Sequence, residues 1–186
     1  CLKELGVSIV REGADLLIHG AGSDGLRPPR GPLDCANSGT TMRLLAGILA
    51  GQNFESTLTG DASLRSRPMA RVIEPLQMMG ASISSDDGRA PLVILGRRPL
   101  QAISYELRVA SAQLKSCILL AGLNAVGRTE IIENEVTRDH TERMLRGFGV
   151  QIESGTIENE GKNPRTAAVT GPCIFQARNI SIPGDI

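Results

Sequence analysis

Aromatic side chains are nearly missing from this sequence: its 186 residues include no Trp, one Tyr and three Phe. Stacking of nucleobases needs several rings, so that mode of nucleic-acid binding is excluded. An excess of one charge is also missing. Twenty Lys and Arg balance twenty Asp and Glu, which leaves no electrostatic case for nucleic acid or a membrane as the main partner. No apolar run approaches the ~20 residues that cross a bilayer, and no signal peptide is read. Cys1, Cys35, Cys117 and Cys173 stand far apart with no C-x-x-C pair, and only two His are present. A zinc site is therefore not expected. Scattered cysteines fit a reducing cytoplasm better than a disulfide framework. There is no initiating Met. The chain opens at Cys1 inside what reads as a helix, and the expectation is a fragment.

What is present is a repeat. Leu2–Ile9, Leu76–Ile83 and Leu145–Ile152 share a helix end, a glycine (Gly6, Gly80, Gly149) and an alternating stretch. A glycine at that point suits a left-handed helix stop, and alternation after it suits a strand. Two complete β-α-β-α-β-β units follow. The first spans 33–96: a strand near Leu33–Cys35, a helix over Gly39–Ala50, a strand near Phe54–Thr59, a helix over Pro68–Met79, and a hairpin turning at Asp87–Gly88. The second spans 102–171: a strand at Ser104–Val109, a helix over Ala112–Leu123, a strand at Thr129–Glu133 and a helix near His140–Phe148. Its closing strands are Val150–Glu153 and Thr166–Thr170, joined by a loose loop over Gly155–Arg165. Residues 1–20 read as the last helix and hairpin of an earlier unit, and 180–186 as the entry to another. The helices Thr40–Ala50 and Leu114–Ala121 are apolar almost all round, so they belong inside. The strand Tyr105–Val109 alternates, so one of its faces meets water. The prediction is an α/β lobe with buried helices and outer sheets.

Candidate chemistry gathers at helix starts. Asn37–Ser38–Gly39–Thr40–Thr41–Met42–Arg43 is a polar turn feeding a buried helix, where free N–H groups attract anions. It lacks the G-K-[ST] ending of a Walker A loop. Ser111–Ala112–Gln113 opens the other buried helix. An N-cap alone, Asn37 or Ser38 at the first place and Ser111 at the second, explains the residue types, but their equivalent positions in the repeat suggest one shared cleft. Arg65–Ser66–Arg67–Pro68 and Thr137–Arg138–Asp139–His140–Thr141–Glu142 each place arginine before the second helix of a unit. Pro68 suits a first helical turn, and Asp139 with Glu142 resembles a capping box. A loop arginine is usually a solvated charge; Arg67 and Arg138, at matching places, suit carboxylate or phosphate. His140 reads as a helix-start residue. The residues by themselves describe a lobe that binds phosphate and carboxylate.

These motifs, with Gly60–Asp61–Ala62–Ser63–Leu64 and Ala110–Ser111–Ala112–Gln113–Leu114–Lys115–Ser116, resemble 5-enolpyruvylshikimate-3-phosphate synthases in order and spacing. The resemblance covers nearly the whole chain. It implies an inside-out α/β prism, each of two lobes built from three β-α-β-α-β-β units. It also implies transfer of the enolpyruvyl group of phosphoenolpyruvate to the 5-hydroxyl of shikimate 3-phosphate, on the route to chorismate and the aromatic amino acids. No metal or organic cofactor is implied; the whole protein would be a cytoplasmic monomer whose partners are these small-molecule substrates. Carried over by position, Gly39, Arg67 and Gln113 would bind phosphoenolpyruvate. Ser111, Ala112, Gln113 and Arg138 would bind shikimate 3-phosphate. Glycine at 39 would leave room for the inhibitor glyphosate. No catalytic residue is identified here: the family's early Lys-Ser segment falls before Cys1 and its proton-moving residues fall after Ile186. The 186 residues alone are expected to show no turnover. Two other readings compete. UDP-N-acetylglucosamine enolpyruvyl transferases are similar around Arg67–Pro68, but usually carry a reactive cysteine where this chain has Ala62. A non-catalytic anion-binding module is the other.

Overall fold

The computed structural model describes residues 1–22, 24–157, 163–176 and 178–179. The chain begins with β1 (Ser8–Glu12) and β2 (Asp15–His19), continues through β3 (Leu33–Asp34), α1 (Gly39–Ala50), β4 (Glu55–Thr59), α2 (Ala62–Arg65) and α3 (Ala70–Met78), and reaches β5 (Ser82–Asp86) and β6 (Arg89–Leu95). It goes on through β7 (Leu100–Gln101), β8 (Ser104–Leu107), α4 (Ala112–Gly122), β9 (Ala125–Glu133), α5 (His140–Gly147), β10 (Ile152–Thr156) and β11 (Arg165–Gly171).

Two sheets share one wiring. In the first, β3 runs parallel to β4, β4 antiparallel to β6, and β6 antiparallel to β5. In the second, β8 runs parallel to β9, β9 antiparallel to β11, and β11 antiparallel to β10. Short β7 adds to the same edge of β9 through Leu100↔Ala125. Helices α1, α3 and α4 pack on one another, and their other sides meet the sheets: α1 lies on β4 and β6, α4 on β9 and β11. Their apolar side chains make the core, with Met42, Ala46, Leu49, Cys117, Ile118, Leu119 and Ala121 fully buried beside Leu58, Leu92, Ile94 and Ile131 from the strands. The helices are inside and the sheets outside. Close approach of α1 to α4 requires Gly47, where a Cβ would stand 2.3 Å from the Cys117 carbonyl oxygen.

The repeated glycines have one geometry. Gly6, Gly80 and Gly149 have φ of +89°, +102° and +84°. In each case the glycine N–H donates to the carbonyl three residues back (Lys3, Gln77, Arg146), and the next residue's N–H donates five back (Leu2, Leu76, Leu145). This is the Schellman pairing, which satisfies carbonyls that a helix end would otherwise leave open.

Several boundaries differ from expectation. Leu2–Gly6 forms turns rather than the end of a regular helix, although the Leu5 N–H still donates to the Cys1 carbonyl at 3.1 Å. Helix α3 starts at Ala70, so Pro68 lies ahead of it; the Met69 N–H is committed to the Gly88 carbonyl of the hairpin at 2.7 Å. Helix α2 was not foreseen. Strand β9 begins at Ala125 because β7 pairs there. Strand β10 starts at Ile152, after Val150 has given its N–H to the glycine stop, and keeps Gly155 and Thr156 in register with Thr166 and Arg165. The loose loop is correspondingly shorter, with 158–162 outside the described residues. The crossover assigned to 180–186 also lies outside them. The Asp87–Gly88 turn forms with φ of +47° and +68°, as a tight hairpin requires.

Burial pushes the Cys117 thiol up to about 12, with the Gly47 backbone hydrogen bond and Arg43 acting weakly the other way. The folded chain therefore holds that proton more tightly than the unfolded one. The stability this contributes is complete below the ordinary thiol range near 9 and is lost as pH rises toward 12. Since the thiolate is the reactive form, Cys117 should resist alkylation at pH 8.5 in the folded protein and react once urea unfolds it. Mass mapping of alkylated peptides checks this; rapid labelling of native Cys117 would contradict it.

Candidate anion site

Helix α1 starts where a sharp turn leaves strand β3. Ser38 caps it: its Oγ accepts from the Thr41 N–H at 3.1 Å and from the Thr41 hydroxyl at 2.8 Å. First-turn N–H groups have no partner within a helix, so those of Gly39 and Thr40 face out of its end. Gly39 is buried under two guanidinium groups. A Cβ there would lie 2.8 Å from Arg43 Nη1 and 3.3 Å from Arg67 Nη1.

A relay holds Arg67 in place. Asp61 caps α2 by accepting from the Leu64 N–H at 2.7 Å, and its other oxygen accepts from Asn37 Nδ2 at 2.7 Å. The side-chain Oδ1 of Asn37 accepts from Arg67 Nη2 at 2.6 Å. The Asn37 hydrogen bond chiefly, then the Leu64 N–H, hold the Asp61 carboxyl below its ordinary value. The relay is thus complete above the ordinary aspartate range near 4 and is lost as pH falls through the lowered folded value.

Arg43 joins the two buried helices. Its Nη1 donates to Gln113 Oε1 at 2.7 Å, and Gln113 Nε2 donates to Thr40 Oγ1 at 2.7 Å. Burial, then the like charges of Arg71 and Arg67, push the Arg43 guanidinium below its ordinary pKa. Arg43 and Arg67 converge on one helix start, and an anion there would relieve their repulsion.

Ser111 caps α4, accepting from the Leu114 N–H at 3.3 Å. Ala112, Gln113 and Arg138 line one cavity of about 340 Å³, together with Thr40, Ser116, His140 and Thr141. Ser111, adjacent in sequence to Ala112, does not line it. Gly39 and Arg67 reach the same region through Arg43, whose guanidinium touches Gln113. The starts of α1 and α4 therefore meet as expected.

One expected feature is corrected. Asp139 makes no side-chain cap on α5. Glu142, the other half of the supposed capping box, is buried and paired with Lys115 at 2.7 Å. A buried ammonium draws the carboxylate inward more strongly than an exposed N–H can hold it. The sequence pattern assigns no role to Arg43 or Lys115, and Asn37, an alternative N-cap on that pattern, instead bridges Asp61 and Arg67. Arg43 and Lys115 did carry a signal, as single cations in helices otherwise apolar all round. Their partners lie too far along the chain to be read from spacing.

Two inner helices meeting at their amino ends, with guanidinium groups beside them and sheets on the outside, define a class: an inside-out α/β lobe. Comparison with known proteins narrows it. Residues 1–186 match the family model described as EPSP synthase (3-phosphoshikimate 1-carboxyvinyltransferase). The chain is 54% identical to the 3-phosphoshikimate 1-carboxyvinyltransferase of Acidithiobacillus ferrooxidans (strain ATCC 53993 / BNL-5-31), covering 99% of this chain and 41% of that protein. It is 50% identical to that of Legionella pneumophila (strain Lens), with the same coverage. The solved EPSP synthase of Acinetobacter baumannii superposes with a TM-score of 0.86 at 46% identity, covering 97% of this chain and 40% of that one. The chain belongs to the EPSP synthase family, and it spans about two-fifths of the length of the curated relatives it matches.

Gly39→Ala tests the close approach to α1. The methyl would displace the ends of Arg43 and Arg67 rather than backbone, and alanine favours a helix. Thermal stability should hold while affinity for a small carboxylate–phosphate anion falls about tenfold, or about 1.4 kcal/mol. Calorimetry and a melting curve on the same sample measure both.

Proposed function

We propose that the protein carrying this chain transfers the enolpyruvyl group of phosphoenolpyruvate to the 5-hydroxyl of shikimate 3-phosphate and releases phosphate. The observation that carries this reading is the convergence of Arg43 and Arg67 on the glycine start of α1, beside a cavity at the start of α4 lined by Gln113 and Arg138. The reaction needs two anionic substrates side by side, and Gln113 stands between the two places. The names of the relatives support the same chemistry.

Gly39, Arg67 and Gln113 would hold phosphoenolpyruvate. The α1 N–H groups and Arg67 face its charged groups, and Arg67 is pre-oriented by Asn37. Ser111, Ala112, Gln113 and Arg138 would hold shikimate 3-phosphate, with Arg138 directed to its phosphate. Gln113, fixed by Arg43 and Thr40, would set the spacing of the two. As the new C–O bond forms and the phosphate leaves, negative charge builds on the departing group, and fixed guanidinium dipoles stabilise it without rearranging. The part proposed for Gln113 and Arg138, which line the cavity, is binding, orientation and charge stabilisation. The units 33–96 and 102–171 would be two copies of one β-α-β-α-β-β element, each presenting a helix start to the cleft. Four free thiols suit the cytoplasm, and light scattering would check the monomer that the resemblance implies.

Calorimetry on the intact protein tests the assignment. Shikimate 3-phosphate should bind, and phosphoenolpyruvate should bind more tightly once it is present. Binding of UDP-N-acetylglucosamine instead would overturn the reading in favour of a different acceptor; phosphate affinity without either acceptor would reduce the site to an anion-binding module.

A further inference from the structure

The cavity that holds Gln113 and Arg138 is closed by two elements with no strand in common, α4 and the turn into α5. Their spacing is set by a buried ionic joint. Lys115 follows Gln113 by two residues and is 1% exposed. Its Nζ lies 3.0 Å from Glu133 Oε2 and 2.7 Å from Glu142 Oε1. Glu133 ends β9, and Glu142 sits in the first turn of α5. The second Glu133 oxygen accepts from the Thr137 hydroxyl at 2.5 Å, and Thr137 immediately precedes Arg138. Ser116 and Thr141 add a hydroxyl contact of 2.6 Å between α4 and α5. The turn carrying Arg138 is pinned on both sides to Lys115.

None of the joint's members lines the anion cavity. Lys115, Glu133, Thr137 and Glu142 line a separate space of about 90 Å³ behind it. Stability alone is a poor reason for the joint: two carboxylates share one ammonium, and Glu142 Oε2 is buried without a hydrogen-bond partner among the described residues. Apolar replacements of buried ion clusters often do as well or better. What an ionic joint supplies that packing does not is direction.

We propose that Lys115, Glu133 and Thr137 are positioning residues for Arg138, fixing its guanidinium opposite Gln113 at the spacing a phosphate ester requires. This rests on the reading that the cavity takes shikimate 3-phosphate. Arg138 makes no hydrogen bond or ion pair with the described residues, so its direction must come from the backbone that Thr137 anchors. The proposal predicts coupling between Thr137 and Arg138 rather than independent effects.

The experiment is a double-mutant cycle on the intact protein, with shikimate 3-phosphate affinity read by calorimetry and folding by thermal melting. Thr137→Val should weaken binding about tenfold with little change in melting temperature. Arg138→Ala should weaken it more. The double variant should bind no worse than Arg138→Ala alone, because Thr137 acts only through Arg138. Thr137→Ser keeps the hydroxyl and should bind like the parent, which also covers the case of a poorly folded valine variant. Effects that multiply, a valine variant that binds normally, or a serine variant as weak as valine would each overturn the proposal. If the parent binds inorganic phosphate through Arg138 but not shikimate 3-phosphate, the substrate reading fails, and the same cycle on phosphate decides the joint. If it binds neither, both fall.

Discussion

In the intact protein, if it carries the proposed activity, Arg67→Ala should lower kcat/KM by about 100- to 1,000-fold, the usual effect of removing one fixed donor from a site where negative charge develops. The structure gives two reasons for an effect this large. Arg67 is not a free surface cation: Asn37 holds one of its nitrogens at 2.6 Å, and Asp61 in turn holds Asn37. It also lies beside Gly39, where the first-turn N–H groups of α1 open. Truncation would remove a pre-oriented charge and leave Asn37 without its donor. Arg67→Lys should recover little, because an ammonium cannot keep the bond to Asn37 and still present a planar fork to the ligand. Steady-state kinetics on both variants, with phosphoenolpyruvate varied, measures this. Activity near the parent's in Arg67→Ala would remove the arginine from the site.

Lys115→Met should be the most destabilising single change, by about 3–5 kcal/mol, because it leaves two buried carboxylates with no counter-ion. For a chain of this size that corresponds to a fall in Tm of about 6–20 °C. Adding Glu133→Gln and Glu142→Gln to the same variant should restore most of the loss, since the uncompensated charge is then gone. Thermal melting of the single and triple variants checks both halves. A single variant as stable as the parent would mean that the joint is not buried as described.

The buried helices, the three glycine stops and the tight hairpin at Asp87–Gly88 were legible in the sequence because each is encoded within a few residues: an apolar helix surface, a glycine at positive φ, a two-residue turn. The starts of α1 and α4 were legible for the same reason. What spacing alone could not show was which side chain meets which across the core. Arg43 reaches Gln113 across 70 residues of chain, and Lys115 reaches Glu133 and Glu142 through tertiary packing. That is also why Glu142 was misread. A local rule, Asp139 with Glu142 as a capping box, competed with a buried ammonium that no local pattern reveals, and the ammonium won. Pro68 lies outside the first helical turn for a similar reason: the contact between the Met69 N–H and the Gly88 carbonyl of the hairpin holds Met69 at the N-cap, and the first helical carbonyl bond is Ile73 N–H to Met69.

The most direct test of the site is a crystal structure of the intact protein with shikimate 3-phosphate and a phosphoenolpyruvate analogue. The expected result places the shikimate phosphate against the start of α4 and the Arg138 guanidinium, with the analogue over Gly39 in contact with Arg67 and Gln113 between the two. Ligands bound at any other face, with the α1 start and Arg138 untouched, would contradict it.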